Sequence, residues 1–428
     1  MQPPFEPARA LYVHVPFCSS KCSYCDFYSK PAVPPSLMEG VIEATLRRID
    51  ALSALYGPGG TAARATVSGN GSSAGAGPSA CSPDGGRRFD TIYIGGGTPS
   101  VLPHPLLGRL LDGIASRAGW RGAPGTEWTV EANPESLDAG ALDLMAASGV
   151  TRLSIGVQSL DDALLLRLGR RARARDAHRA LELAARSGIP RRSADLIAGL
   201  PRRAGSLAAE AAALLDLGVE HLSVYDLVLE EGTPLAAEVA AGHFVLPGED
   251  EAADERDGLE AMLRGRGFRR YEVSNYALPG AESRHNLVYW RLDSYIGAGP
   301  GAVSTLVSAV PGGGSLRIEE GRSLEACAAG AAERTAVQNC ISAKDAAFES
   351  IMMGFRTVFG LERARFRKRH GVGLEVLIGE TLDAWKTHIV PGLLPDSLAL
   401  DGAGLNLENR FLEDCLGEID RKFPDALS

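Results

Sequence analysis

The chain has 428 residues, 45% of them hydrophobic, and a formal net charge of −9 at pH 7. This length allows two or three domains with a large core, and the acidic balance argues against a broad electrostatic surface for nucleic acid or anionic lipid. The start Met1-Gln-Pro-Pro-Phe-Glu lacks the features of a signal peptide, and no run of about eighteen uncharged apolar residues predicts a membrane span. We therefore expect a cytoplasmic protein that neither crosses a membrane nor binds nucleic acid.

The first predicted strand, 11–15, is followed by three cysteines, Cys18, Cys22 and Cys25. A cubane iron–sulfur cluster normally takes four thiolates, so three closely spaced ones would leave one iron free for a small molecule. A structural zinc needs a paired fourth ligand, yet there is no second C-x2-C, and the odd total of seven cysteines disfavours a disulfide framework. The spacing predicts a [4Fe-4S] cluster with an open iron.

Strands and helices alternate along the first 266 residues. Strands are predicted at 11–15, 89–94, 128–131, 152–157, 193–197 and 221–228. Helices are predicted at 36–55, 106–117, 137–148, 175–187, 207–217 and 249–266. Six strands with crossover helices predict an α/β fold with a parallel sheet. Residues 57–88, rich in Gly, Ala and Ser, break the pattern and are interpreted as a flexible surface insertion.

Glycines and polar residues occur where the predicted strands end, which is where ligands bind in parallel α/β sheets. The second strand ends in Gly95-Gly96-Gly97-Thr98, the third at Glu131 and the fourth at Gln158, and the fifth contains Asp195. A bare backbone can present its N–H groups to a ligand, although a triple glycine alone is typical of a tight turn. Carboxylates and amides can accept from ammonium and hydroxyl groups, although each alone is also typical of a helix cap.

Together these motifs resemble the radical S-adenosylmethionine (SAM) superfamily, and in particular the branch of oxygen-independent coproporphyrinogen III dehydrogenases and HemW-type haem chaperones. The resemblance implies an α/β fold with a partial (β/α)6 radical-SAM barrel and a small C-terminal winged-helix-like domain. It also implies that SAM chelates the free iron through its amino and carboxylate groups. The implied SAM-binding residues are Tyr12, Tyr24, Gly96, Gly97, Thr98, Glu131, Gln158, Arg170 and Asp195.

Changes in the order of predicted strands, helices and loops divide the chain into three regions. We expect a radical SAM core over 1–245, a barrel extension and linker over 246–344 that is loop-rich from 303, and a C-terminal domain over 345–428. In this last domain helices are predicted at 348–356, 361–370 and 374–385, followed by short strands near 392–394 and 405–410. The isolated Cys327, Cys340 and Cys415 are expected to be ordinary buried thiols.

A second motif, Arg284-His285-Asn286-Leu-Val-Tyr289-Trp290, matches the H-N-x-x-Y-W signature of the haem-chaperone group. Histidine is a common haem ligand, and aromatic side chains provide the apolar wall that a macrocycle needs. The resemblance implies that His285, Asn286, Tyr289 and Trp290 bind haem. From the residues alone, the alternative is a hydrogen-bonded interior histidine with Tyr289 and Trp290 in the core.

The main hypothesis is a haem chaperone that carries a [4Fe-4S] cluster and SAM. It would transfer haem to a haem-requiring partner, such as a membrane-bound respiratory enzyme. Coproporphyrinogen III dehydrogenases carry another cysteine two positions after the third ligand, where this chain has Phe27, and a long N-terminal extension, whereas eleven residues precede Tyr12. Oxidation of coproporphyrinogen III, and a SAM-binding scaffold with a vestigial cluster, remain alternatives, and no catalytic residue is assigned.

Overall fold

The computed structural model describes residues 5–61, 89–117, 125–201, 205–331 and 335–423. Most of the predicted insertion, residues 62–88 with Cys81, lies outside the described residues. Within the described ranges, no helix combines the length and the apolar character needed to cross a membrane.

Six parallel strands, neighbours in chain order, form the centre of the structure. The first is β1 (Ala10–Val15), and two short strands, β2 (Phe17–Cys18) and β3 (Lys30–Pro31), pair separately after it. The other five are β4 (Thr91–Gly96), β5 (Glu127–Ala132), β6 (Arg152–Gln158), β7 (Arg191–Ala198) and β8 (His221–Asp226). They coincide with the six predicted strands, so the α/β class with a partial parallel barrel is confirmed.

Helices follow the parallel strands, and most of them share one continuous hydrophobic core with the sheet. They are α1 (Pro35–Tyr56), α2 (His104–Arg117), α3 (Ala139–Ser148), α4 (Asp162–Arg167), α5 (Ala174–Arg186), α6 (Leu207–Asp216), α7 (Pro234–Ala240) and α8 (Glu249–Gly265). Of these helices, α4 and α7 pack in a separate small cluster. Local sequence sets the ends of the helices. At the start of α3 the Asp138 side chain accepts from the N–H of Ala141, and Gly149 follows the helix with a φ of 92°.

The sheet continues beyond the predicted strands at both edges and contains twelve strands among the described residues. The additional elements are β9 (Arg269–Arg270), β10 (Asn275–Ala277), α9 (Arg284–Trp290), β11 (Tyr295–Ala298), β12 (Val303–Val307), β13 (Ser315–Glu319), α10 (Leu324–Ala328) and β14 (Val337–Ile341). β11 runs parallel to β1, whereas β12, β13 and β14 are antiparallel to their neighbours. The prediction of a loop-rich segment from 303 is therefore wrong. These strands are short, and the exposed β14 carries no apolar alternation that would mark it.

A second hydrophobic core lies in the C-terminal region. Its elements are α11 (Ala343–Phe355), β15 (Leu361–Glu362), α12 (Arg363–His370), α13 (Leu374–Ala384), β16 (Ile389–Pro391), β17 (Ser397–Leu400), α14 (Gly402–Asn406) and α15 (Glu408–Lys422). The three strands form an antiparallel sheet in the order β15-β17-β16, which agrees with a winged-helix-like unit. The predicted strand at 405–410 is helical instead, because Phe411, Leu412, Cys415 and Ile419 bury one helical face. The second core supports a boundary near 345, which we keep as a proposal.

Candidate functional site

The three cysteines lie on the loop that follows β1, at the carboxyl end of the parallel strands. Cys18 ends β2, and the N–H of Cys25 donates to the carbonyl oxygen of Cys22 over 3.3 Å. Between them, the N–H of Ser23 donates to the carbonyl oxygen of Leu168 over 3.0 Å. All three cysteines are half-buried. Backbone hydrogen bonds, rather than the sulfur atoms, therefore hold this loop in place.

The chemistry of these donors fits an iron–sulfur cluster. Burial raises the pKa of Cys25, and the neighbouring Cys22 and Cys18 raise it further, so the three sulfur atoms are close enough to interact as charges. Arg170 donates from Nη1 to the Sγ of Cys22 over 3.7 Å and would offset part of that repulsion. Among the described residues, no three His, Cys, Asp or Glu side chains converge on a single metal-ion position. A tetrahedral zinc site needs a fourth ligand, whereas in a cubane each of three thiolates binds its own iron and the fourth iron stays open.

The loop after β4 is built from glycine because it has no room for side chains. A Cβ atom on Gly96 would lie 2.2 Å from the His14 ring, and the φ of Gly96 is 97°. A Cβ atom on Gly97 would lie 2.6 Å from the carbonyl oxygen of Val15. The N–H groups of Gly96, Gly97 and Thr98 already donate to Glu131, Val15 and Phe17 respectively. The expectation of free N–H donors is therefore wrong for this conformation, since the chain itself uses them.

A series of hydrogen bonds joins the cysteine loop to the ends of β4, β5 and β6. The Oγ1 of Thr98 lies 3.6 Å from the Sγ of Cys18 and accepts from Asn133 Nδ2 over 2.9 Å. The Oδ1 of Asn133 accepts from Arg170 Nη2 over 3.1 Å, and the same guanidinium donates to the carbonyl oxygen of Gly156. Arg170 thus contacts both the cluster loop and the end of β6.

Gln158 ends β6 in a left-handed conformation, with a φ of 69°. The register of β6 against β7 shifts at this point, and a Cβ atom on Gly156 would lie 2.9 Å from the Nε2 of Gln158. Left-handed backbone is costly for a residue with a side chain and persists where the surroundings hold it. The turn places the Gln158 amide beside the carbonyl group that Arg170 contacts.

Two half-buried carboxyl groups lie in the barrel interior. Glu131 accepts from the Tyr93 hydroxyl over 2.7 Å and from the Gly96 N–H over 3.1 Å, and burial raises its pKa to about 7. Asp195 accepts from the Ser154 hydroxyl over 3.1 Å, and burial raises its pKa to about 6. The charge of Asp195 raises the pKa of Glu131 further. A cationic ligand would stabilise the ionised form of both groups.

The two tyrosines predicted to contact SAM have different surroundings. The Tyr12 hydroxyl lies 2.9 Å from the Nδ1 of His14, whose Nε2 lies 2.9 Å from the carbonyl oxygen of Tyr28. A carbonyl only accepts, so Nε2 carries the proton and Nδ1 accepts from Tyr12. Burial lowers the pKa of His14, which keeps the ring neutral. Tyr24 packs beside the apolar cluster of α4 and α7, and burial raises its pKa against the opposing charge of Arg170.

The second motif forms the short helix α9, and its members lie on different sides of it. His285 is fully buried: its Nδ1 lies 2.8 Å from the Thr91 hydroxyl and its Nε2 lies 2.8 Å from the Tyr289 hydroxyl. Burial lowers the pKa of His285 to about 3. As folded here, His285 is thus the hydrogen-bonded interior histidine of the alternative interpretation. Ligation of haem iron by His285 stays a prediction that requires the Tyr289 hydrogen bond to break.

The other two members of the motif are half-buried. The N–H of Asn286 donates to the Oγ of Ser283 over 3.3 Å, which caps α9. Trp290 packs against a small apolar cluster around Leu287, which Phe359 of the C-terminal region also contacts. The helix therefore gathers the four motif residues but does not direct them to one point.

The structure adds three side chains to the site that the sequence did not assign, namely His14, Tyr93 and Asn133. His14 follows Tyr12 by two positions on β1, so the alternation of a strand indicates that they share a face. Tyr93 lies directly opposite Tyr12 in the register of β1 and β4. Asn133 follows Glu131 by two positions, which is the signal that could have identified it.

This chain is similar to known radical SAM proteins. A family model of the Radical SAM superfamily matches residues 84–206, which include the glycine loop, Glu131, Gln158, Arg170 and Asp195. Membership of that superfamily implies a [4Fe-4S] cluster and SAM. The coproporphyrinogen III oxidase (HemN) of Escherichia coli, a radical SAM enzyme of known structure, matches with a TM-score of 0.72 and 18% identity over 96% of this chain and 90% of that chain. At this identity the match shows the fold alone.

Two relatives show to which family the chain belongs. The radical S-adenosyl methionine domain-containing protein 1, mitochondrial, of Bos taurus is 39% identical over 305 residues, which are 71% of this chain. The chain spans 62% of the length of that relative. The heme chaperone HemW of Escherichia coli (strain K12) is 32% identical over 372 residues, 87% of this chain and 88% of that protein. Because the second match covers most of both proteins, this chain belongs to the HemW family of radical SAM proteins.

Proposed function

We propose that this protein is a cytoplasmic haem chaperone that carries a [4Fe-4S] cluster and SAM, binds haem and passes it to a haem-requiring acceptor. A membrane-bound respiratory enzyme is one such acceptor, and the acceptor would supply any attachment to a membrane. The observation that carries the proposal is the 32% identity to the heme chaperone HemW of E. coli over 88% of that protein. The H-N-x-x-Y-W motif on α9 supports it, and the net charge of −9 supports a protein that binds no nucleic acid.

Within this proposal, Cys18, Cys22 and Cys25 hold the cluster. The SAM pocket is formed by Tyr12, Tyr24, Gly96, Gly97, Thr98, Glu131, Gln158, Arg170 and Asp195. Because the N–H groups of the glycine loop already have partners, the amino group of SAM would be held by carbonyl oxygens of that loop and by Glu131. A reduced cluster of this kind supplies the electron that cleaves SAM. The residues of this chain orient SAM and stabilise its positive charge.

SAM affinity is expected to rise as the pH increases from about 5.5 to 7.5. Burial raises the pKa of Glu131 to about 7 and that of Asp195 to about 6, so both carboxyls are largely protonated at the lower limit. A cation binds the ionised forms more tightly, so affinity is lost as the pH falls through these values. The pH range of the measurement stays below ~7.7, the pKa of an ordinary α-amino group, so that the amino group of SAM keeps most of its charge.

Calorimetric titration of the cluster-loaded protein with SAM at several pH values measures this dependence. Glu131→Gln is expected to weaken binding at pH 7.5 and to flatten the profile. Glu260→Gln, which changes a carboxylate outside the site, serves as the control. Equal affinity at both ends of the pH range in the unmodified protein would contradict the proposed role of Glu131.

The alternative, oxidation of coproporphyrinogen III, is expected to be absent. Phe27 is 72% exposed at the position where the dehydrogenases carry an additional cysteine. The test is anaerobic purification with iron, sulfide and haem quantified, followed by incubation with SAM, a reductant and coproporphyrinogen III. A haem-binding protein with an intact cluster and no vinyl-bearing product is the expected result. Vinyl product formed over multiple turnovers would favour the enzyme, and a protein that binds SAM but assembles no cluster would favour the scaffold.

A further inference from the structure

The Asn133 side chain joins two residues that contact sulfur atoms of the cysteine loop. Its Nδ2 donates to the Oγ1 of Thr98 over 2.9 Å, and its Oδ1 accepts from the Nη2 of Arg170 over 3.1 Å. The Oγ1 of Thr98 lies 3.6 Å from the Cys18 sulfur, and the Nη1 of Arg170 lies 3.7 Å from the Cys22 sulfur. These four contacts form what we call the Asn133 network. One amide thus connects side-chain donors of two of the three cysteines.

The direction of each hydrogen bond in the Asn133 network follows from Arg170. A guanidinium only donates, so the Asn133 atom that faces it is the amide oxygen, and the amide nitrogen faces Thr98. Thr98 therefore accepts from Asn133 and keeps its single hydroxyl proton for another acceptor. A cysteine that binds iron is a thiolate and can only accept, so the Thr98 proton is directed to the Cys18 sulfur.

The backbone holds Asn133 in the position that this network requires. Its N–H donates to the Oγ of Ser100 over 3.2 Å, and its carbonyl oxygen accepts from the N–H of Ser136 over 3.1 Å. Thr98 and Arg170 are both buried. Asn133 therefore keeps one orientation, and its two partners lie in surroundings of low dielectric, where a hydrogen bond is stronger than in water.

Hydrogen bonds to the sulfur ligands are among the factors that set the reduction potential of an iron–sulfur cluster. Reduction adds a negative charge, and a donor that points to a sulfur atom stabilises that charge, so each such donor raises the potential. The third cysteine, Cys25, accepts from the N–H of Phe27 within its own loop. The Asn133 network therefore acts on the potential through Cys18 and Cys22.

We propose that Asn133 is a positioning residue that raises the reduction potential of the cluster by directing the Thr98 hydroxyl to Cys18 and the Arg170 guanidinium to Cys22. The proposal rests on the proposed binding of the cluster by the three cysteines, and it deepens that assignment. A higher potential allows a weaker reductant to supply the electron that cleaves SAM. Asn133 thus sets which one-electron donors can reduce this protein.

Potentiometric titration of the cluster-loaded protein without SAM, followed by electron paramagnetic resonance of the reduced cluster, tests the proposal. Asn133→Leu, which is uncharged and similar in size, is expected to lower the equilibrium constant for reduction on the order of tenfold, or about 59 mV for one electron. Thr98→Val, which replaces the hydroxyl by a methyl group, should lower it as well, whereas Thr98→Ser should retain the potential. Ser100→Ala is the matched control, because it removes a hydrogen bond to the Asn133 backbone and leaves the Asn133 network intact.

A double-mutant cycle shows whether Asn133 acts through Thr98. In the Thr98→Val background the effect of Asn133→Leu should shrink, because the donor that Asn133 orients is already absent, and the remainder reflects Arg170. Fully additive shifts, an unchanged potential in Asn133→Leu, or an equal shift in Ser100→Ala would overturn the proposal. If Asn133→Leu assembles no cluster, the comparison of Thr98→Val with Thr98→Ser decides the matter. An unmodified protein that assembles no cluster would instead refute the proposed cluster binding itself.

Discussion

Replacing Cys22 by alanine is expected to abolish the [4Fe-4S] cluster while the protein stays folded. Two thiolates cannot hold a cubane that already lacks one of its usual four. The loop itself should keep its conformation, because the Ser23 N–H donates to the Leu168 carbonyl oxygen. This hydrogen bond does not involve a cysteine sulfur. The iron content of anaerobically reconstituted protein should fall from about four per chain to near zero. Far-ultraviolet circular dichroism should be unchanged.

Cysteines outside the loop provide the controls for this experiment. Cys340 is exposed on β14, contrary to the expectation of a buried thiol, so Cys340→Ala should change neither cluster nor stability. Cys327 and Cys415 are buried, as expected, and their alanine variants should lose stability but keep the iron. Cys81 is likewise expected to be dispensable. Zinc at one equivalent in protein prepared without oxygen, or four irons retained in Cys22→Ala, would contradict the cluster assignment.

Gly96→Ala is expected to remove SAM binding and to destabilise the barrel by about 2–4 kcal/mol, because left-handed strain adds to overpacking. The new methyl group would lie 2.2 Å from the His14 ring. His14 cannot easily retreat, since hydrogen bonds to Tyr12 and Tyr28 hold both of its nitrogens. Any movement of the loop would also disturb the hydrogen bond from the Gly96 N–H to Glu131.

Gly125 offers a matched comparison. Its φ is 98°, almost the same as the 97° of Gly96, but no described atom lies within 4 Å of a Cβ placed there. Gly125→Ala should therefore cost only the backbone strain, about 1 kcal/mol, and leave SAM affinity intact. Urea denaturation and SAM titration of both variants measure the difference. Equal destabilisation of the two variants would show that the contact with His14 has no consequence.

The parallel half of the fold was predictable because each strand carries its own signal. A buried strand between two helices is an apolar run of fixed length, and glycines mark the places where the backbone turns at its end. The strands from Val303 to Ile341 carry no such signal. Their conformation is decided by pairing with a neighbour, and β14 buries too little for its sequence to show an alternation.

The sequence identified candidate residues at the end of each strand separately, but it did not predict the hydrogen bonds between them. The Thr98 and Asn133 side chains follow β4 and β5, whereas Arg170 follows α4, and no sequence pattern indicates that these three side chains meet. In α9, the spacing of four positions puts His285 and Tyr289 on one face of the helix, where their side chains share a hydrogen bond. It did not indicate whether that face meets a ligand or the barrel interior, since both are apolar surroundings rich in aromatic rings.

The position of α9 has a consequence for how its sequence can vary. In seven residues, the helix places His285 against Thr91 at the amino end of β4 and also contacts α11, whose Ile351 and Phe355 belong to the second core. Most surface helices are free to change on the side that faces water, but little of this helix is exposed apart from Arg284 and Arg291 at its ends. A single helix thus connects the two cores, and a substitution on either side of it alters the fit on the other.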